Sequence, residues 1–475
     1  MGEPNQALES SQAIEFAKNL ALFLLSFIFL PTNALFALGS YLWNRFTSKP
    51  SKPQNDGDNL DKVTVLVTGV NMAKGLSLAR MFHRRGHRVI GADCHSLSPG
   101  RVSFAIDAYY RLPPPSDPSK TSMNDPYLNR IVEIIHYEDV DLWVSVSDVN
   151  AAVEDAAVRE IIEARTNAKA IQFGVEDIRR LHEKDAFIEH TKGLGLTVPL
   201  TEAVEDREDV INFLQRNGGL EHKHGARQYL VKPVGVDDVA RFAMPLLPLP
   251  SEEATLARID SIPFETAKCS FIIQEYITAL PVDSPLSRAM LDFTLKQAEG
   301  GGESFTGHMS FDFLINKEDE DAVKSGADKE VTIYPIECNP RVHTATVLFN
   351  NTPEIVDEYL SILTPSAPRP LTKPPLSPTH PQQYYWVGQD FVELVLYPFY
   401  LALFRGTMSL SDIQKSIRAF VQHIIYWKDG TFESWDPLPW LWMMHVYWPV
   451  QFAWYMSTGS VWTKVNVSTG KAFKG

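Results

Sequence analysis

Two short strand-like runs constrain this chain most. Ser310-Phe311-Asp312-Phe313 alternates aromatic with polar residues, and Ile336-Glu337-Cys338-Asn339-Pro340-Arg341 follows the apolar run from Val331 to Ile336. Alternation and β-branched runs of this kind predict strands. Adjacent strands would gather Asp312, Glu337 and Asn339 as hard oxygen ligands, the type that suits Mg2+ held between protein and nucleotide phosphates. Arg341 is then in reach to neutralise charge on a transferring phosphoryl group. The plainer reading is a surface hairpin with ordinary charges. The upstream sequence decides between them.

A chain of 475 residues is too long for one compact domain, and its 44% hydrophobic content can bury a substantial core. The net charge of −14 argues against general nucleic-acid binding, which needs basic surface. Cys94, Cys269 and Cys338 are scattered and form neither a metal spacing nor a disulfide framework. From Lys62 the pattern is α/β. Val63 to Thr68 reads as a buried strand, Gly69 turns the chain, Ala73 to Arg85 has helical periodicity, and Val89-Ile90-Gly91-Ala92 is a second strand. This predicts a βαβ unit with a parallel sheet. The spacing of Gly69 and Gly75 does not fit a dinucleotide fingerprint. Asp93 reads as a capping residue, and Asp141 to Val146 as a further strand.

The two ends depart from a plain soluble enzyme. No charge lies between Lys18 and Arg45, an interval long enough to span a bilayer as a helix. Pro31-Thr32-Asn33 interrupts it, so a kinked span and a membrane-embedded hairpin are both open, as is an apolar helix docked on the body. The cations Arg45, Lys49 and Lys52 that follow place the body in the cytosol if the segment spans; a soluble cytoplasmic protein is the alternative. Residues 384–404 and 427–462 are dense in Trp, Tyr, Phe and Met, as at a membrane interface or in a layer packed on the N-terminal segment. His343 and His445 read as structural.

The middle carries a helix opening at Lys184, a strand Tyr229-Leu230-Val231-Lys232-Pro233, and a strand Phe271-Ile272-Ile273-Gln274-Glu275-Tyr276. In this order, with the acidic strand pair after them, these pieces resemble the ATP-grasp superfamily. The resemblance implies ATP between two antiparallel sheets. It implies Lys184 and Lys232 on the phosphates, with Lys232 and Arg341 serving the chemistry. It puts Gln274, Glu275 and Tyr276 at adenine, and a flexible loop containing Gly235 and Arg241 over the triphosphate. Asp312, Glu337 and Asn339 hold Mg2+, with Mn2+ as a substitute. Leu78 to Ile90, Ile336 to Ala345, Asp436 to Leu441 and Trp462 to Val467 look like segments of ATP-grasp mycosporine-glycine synthases. That likeness implies condensation of glycine with 4-deoxygadusol, a cyclohexenone, through a phosphorylated enol oxygen.

One departure concerns the stretch after Tyr276, which is shorter than in that family and lacks a strand pair with a Gly-x-Glu element. Alternatives therefore stay open: a carboxylate–amine or carbamoyl-phosphate-synthase-like ligase, or a membrane-associated protein with a decayed ATP site. The expected layout is an apolar segment and linker (1–59), a parallel α/β domain (60–180), an ATP-grasp domain (181–365), and a proline-rich strap with an aromatic helical region (366–475). The expected partners are small molecules and, through residues 19–44, a membrane.

Overall fold

The structure, a computed structural model, describes residues 3–47, 62–115, 125–146, 151–204, 206–217, 228–233, 246–249, 251–260, 271–276, 284–302, 305–316, 319, 321–322, 325, 329–364, 376–379, 382–460, 462, 464–466 and 471–473. It divides into two compact units: Met1–Gln172 with Val342–Gly475, and Phe173–Arg341. The second boundary falls at Arg341/Val342 rather than after 365, because residues 342–364 fold with the first unit. Val342, Val356 and Leu360 are buried in one cluster with Val65, Leu78 and Phe82.

The first unit holds β1 (Thr64–Thr68), α2 (Ala73–Arg84), β2 (Arg88–Asp93), β3 (Ala108–Arg111), α3 (Pro126–Glu138), β4 (Leu142–Val144), α4 (Ala152–Arg165) and β5 (Lys169–Ile171), preceded by α1 (Glu3–Thr47). The strands form a parallel sheet in the order β3-β2-β1-β4-β5. Val65, Leu66, Val67, Ile90, Trp143 and Val144 are fully buried, as expected where helices cover both faces. The two glycines have a packing role. Gly69 has φ +71°, and a Cβ there would sit 2.5 Å from the Val146 carbonyl oxygen. A Cβ on Gly75 would sit 2.3 Å from the Gly69 carbonyl oxygen, so only glycine lets α2 start this close to β1. Asp93 caps as expected: its carboxylate accepts from the Asn71 and His95 backbone N–H groups, both at 2.7 Å. Burial pushes its pKa up to about 6.

The C-terminal residues are keyed into this α/β layer by a buried ion pair. Arg80 on α2 donates from Nε to Asp436 Oδ2 at 2.8 Å, and its other nitrogens reach the Thr431 and Asp436 carbonyls at 2.7 and 2.8 Å. Asp436 also accepts from Ser103 Oγ at 2.7 Å and the Phe104 N–H at 2.8 Å. Arg84 reinforces the join through Glu433 at 2.9 Å.

From this join a helix runs through residues 438–458, with π-type turns at 443–447. It packs along α1. Pro31 does not break α1, so the hairpin expectation is corrected: one helix continues through the proline. His445 Nδ1 lies 2.6 Å from the Ser26 carbonyl oxygen and its Nε2 3.0 Å from Asn33 Nδ2, so the ring holds α1 on either side of Pro31. His445 is thereby structural.

The second unit contains α5 (Val175–His182), α6 (Lys184–Gly193), β6 (Thr201–Val204), α7 (Arg207–Arg216), β7 (Gln228–Pro233), β8 (Leu246–Leu247), α8 (Glu252–Asp260), β9 (Phe271–Tyr276), α9 (Ser284–Gly301), β10 (Ser310–Ile315) and β11 (Ile333–Asn339). One antiparallel sheet has the order β6-β9-β7-β8. Its core holds Val204, Phe213, Tyr229, Val231, Leu247 and Ile259. The other described sheet is the antiparallel hairpin β10-β11. The chain is thus α/β, with a parallel N-terminal sheet, an antiparallel sheet and an acidic hairpin. After β9 the next described element is α9, and the described second sheet has two strands.

Asp436→Ala leaves Arg80 buried without its counter-charge and is expected to cost about 3–5 kcal/mol. The double change Arg80→Met with Asp436→Leu should cost less. Urea unfolding followed by tryptophan fluorescence measures both; equal costs would show that the ion pair is not the source.

Candidate active site

The acidic hairpin is built by alternation. On β10, Phe311 and Phe313 meet Phe293 of α9 at ring distances of 5.1 and 4.9 Å, and Phe311 lies 5.9 Å from Phe187 of α6. These aromatic contacts claim one face of the strand. Side chains alternate, so Ser310 and Asp312 take the other face.

The register completes the set. Asp312 pairs directly with Glu337 and Ser310 with Asn339, so all four side chains share one face. A shift between Asp312 and Phe313 leaves Ile336 as the extra residue of a bulge beside this pair; bulges often re-aim side chains next to active sites. Asn339 Nδ2 is 3.5 Å from Asp312 Oδ2, and Arg341 donates to Asn339 Oδ1 at 3.0 Å. The Arg341 N–H also donates to the Asn339 carbonyl at 2.8 Å, a tight turn around Pro340 that swings the guanidinium back over the strand end.

This arrangement fits a small divalent cation. Two carboxylates directly opposite each other repel, and a cation between them removes that cost. The donors are hard oxygens, and Ser310 Oγ on the same face is buried with no hydrogen-bond partner among the described residues. With a metal present, the Asn339 amide would have to turn its oxygen from Arg341 toward the carboxylates. Among the described residues no group of three or more His, Cys, Asp or Glu side chains is placed to hold a metal, so the set relies on two carboxylates and an amide. Cys338 takes no part. It is buried, and burial, reinforced by the Glu337 and Asp312 charges, raises its pKa and keeps the thiol neutral.

Lys184 is buried in the first turn of α6, a helix that packs against β11. A cation there opposes the helix dipole, so local helix stability does not explain it. Its helix meets the Phe311 face of the hairpin, opposite Asp312. The remaining expected residues are placed less fully. Lys232 lies on β7, and Gln274, Glu275 and Tyr276 on β9, where Tyr229 pairs with Glu275 and Lys232 with Ile272. Their side chains, and the whole of Gly235 and Arg241, lie outside the described residues. His343 caps the following turn, accepting from the Ala345 N–H at 3.1 Å. Ser310 is the site residue that reading by residue type passed over; its two-residue spacing from Asp312 was the available signal.

A cleft of about 490 Å3 lies elsewhere, lined by Asn33, Phe36, Tyr385, Trp427, Asp429 and Trp440 among others, and touches none of these residues.

No family model matches the sequence, and no curated protein matches it. Among solved structures the fold is similar to a biotin carboxylase–β,γ-ATP complex from Campylobacter jejuni (13% identity, TM-score 0.44, covering 65% of this chain and 72% of that one). It is similar to N5-carboxyaminoimidazole synthetase from Staphylococcus aureus complexed with ADP (14% identity, TM-score 0.41, 60% and 73%). A third is L-amino acid ligase from Bacillus licheniformis (10% identity, TM-score 0.39, 59% and 67%).

Asp312→Asn removes one of the two facing carboxylates at nearly constant volume. Millimolar Mg2+ should raise the thermal midpoint of the unaltered protein, and that rise should fall by at least half in the variant. Thermal unfolding with and without EDTA measures both. An unchanged Mg2+-induced rise would count against the site.

Proposed function

We propose that this chain is an ATP- and Mg2+-dependent ligase forming a C–N bond between an amino acid such as glycine and a cyclohexenone such as 4-deoxygadusol. The observation that supports an ATP site is the shared face of Ser310, Asp312, Glu337 and Asn339 with Arg341 at its end. The acceptor rests on the sequence resemblance. Two of the resembling segments, around Arg80 and Asp436, meet in the buried ion pair; they therefore speak for a shared architecture more than for a shared substrate.

In this reading the enol oxygen, its proton lost to solvent, attacks the γ-phosphorus, the bond to the bridging oxygen breaks, and ADP leaves. The amine nitrogen then attacks the ring carbon. The C–O bond breaks, inorganic phosphate leaves with the electron pair, and the nitrogen loses a proton to solvent. Mg2+, when bound, neutralises phosphate charge. Asp312, Glu337 and Asn339 would hold it. Arg341 would steady the transferring phosphoryl group, and Lys184 and Lys232 would bind phosphate oxygens. Membrane association through residues 19–44, with the chain on the cytosolic side, belongs to the same proposal. It is supported by the helical stretch Glu15–Thr47, which contains an 18-residue window of mean hydropathy 2.1 that is hardly buried.

Purified protein with ATP, Mg2+, glycine and 4-deoxygadusol should release ADP only when both co-substrates are present, with an ultraviolet-absorbing product. Glu337→Gln should lower turnover by about 100-fold or more, through loss of one anionic ligand at constant volume. ADP release with a carboxylate acceptor instead would favour the carboxylate–amine reading. Mg2+-ATP binding without turnover on any acceptor would favour a decayed site.

A further inference from the structure

The residues of α1 are sorted by side. Asn19, Ser26 and Asn33 recur at seven-residue intervals and Asn44 follows eleven residues on, so all four share one side, and every one meets the body. Asn19 Oδ1 accepts from Trp462 Nε1 at 2.9 Å, and His445 bridges Ser26 and Asn33 at 2.6 and 3.0 Å. Asn44 donates to Ser434 Oγ at 3.0 Å. Leu20, Leu24, Phe27, Ile28, Leu35, Leu38, Leu42 and Phe46 fall on the opposite side at helical spacing, and Ile28, Leu35 and Phe46 are 65, 70 and 83% exposed. This outer stripe runs for roughly 39 Å.

The inner contacts settle how such a helix can meet lipid. The anchors from Asn19 to Asn44 extend over roughly 37 Å, more than the hydrocarbon thickness of a bilayer. Between α1 and the α/β layer lies the helix of residues 438–458, itself tied to the loop after β2. Trp442 Nε1 donates to the Leu97 carbonyl at 3.0 Å, and Gln451 lies 3.1 Å from the His95 ring. At its C-terminal end α1 touches the loop before β3, through Tyr41 and Phe104. A spanning α1 would draw these polar loops, with the Arg80–Asp436 pair behind them, to the depth of the hydrocarbon, where charged groups are costly. A second protein surface fits poorly too. Interfaces need hydrogen-bonding groups, and from Leu20 to Leu42 the outer stripe is apolar: the Thr32 hydroxyl beside it is spent on the Phe29 carbonyl at 2.9 Å.

We propose that α1 lies flat in one leaflet of a phospholipid bilayer, its outer stripe in the acyl region and its length from Asn19 to Asn44 backed by the protein, so that α1 does not cross. The flanking-charge rule for spanning helices then does not apply, and attachment is hydrophobic rather than electrostatic. This holds whether or not the ligase reading does.

Full-length protein, diluted from detergent into preformed neutral phosphatidylcholine vesicles, should float with them at low and high salt. The double change Ile28→Glu with Leu35→Glu should cut flotation by roughly tenfold or more with an unchanged thermal midpoint. Single cysteines at both ends, Gln12→Cys and Thr47→Cys, should each react with a membrane-impermeant maleimide from outside, above the background of unaltered protein. Protection of one end only would mean a spanning helix and overturn the proposal. So would a soluble monomer that does not float, or a detergent-free dimer that the double change dissolves.

Discussion

Charge buried at Asp436 organises the first unit. Removing a carboxylate and a guanidinium from water costs several kcal/mol per ion, and only complete hydrogen bonding offsets it. Here both oxygens of Asp436 and all three nitrogens of Arg80 are met. Because donors come from α2 and from the loop at Ser103 and Phe104, the pair tolerates one placement of residues 431–436 against the sheet. The aromatic helix that follows inherits that placement, and α1 inherits it in turn through Asn33, Phe36 and Asn44.

The hairpin in the other unit shows the opposite economy. Directly opposed Asp312 and Glu337 weaken an isolated strand pair, and a bulge beside them sacrifices regular pairing. Stability comes from the reverse face, where Phe187, Phe293, Phe311 and Phe313 interlock. One face secures the hairpin so that the other can carry unfavourable charge.

The acidic face was legible because a period of two is hard to disguise: Phe-Asp-Phe and Glu-Cys-Asn each declare which residues share a side. The buried run around Val65 to Val67 declared the parallel sheet for similar reasons. Pro31 misled because proline propensity is local, whereas a histidine more than 400 residues away contacts Ser26 and Asn33, on either side of the proline. The role of Asp436 was equally hidden. An aspartate before a proline reads as a turn, and nothing nearby announces Arg80 as its partner. Gly69 and Gly75 were seen to be no nucleotide fingerprint, but the close approach that requires them is a property of two elements together.

Residues 173–341 interrupt a unit whose two halves complete each other. On the ribosome, α1 emerges long before the helix of residues 438–458 that will cover its asparagine side. At typical rates of 5–20 residues per second that gap lasts roughly 20–80 s. For that time a 45-residue helix exposes both its apolar and its amide-bearing sides. The nascent chain must therefore be shielded, by a chaperone or by a lipid surface, before its own C-terminal residues exist to do so.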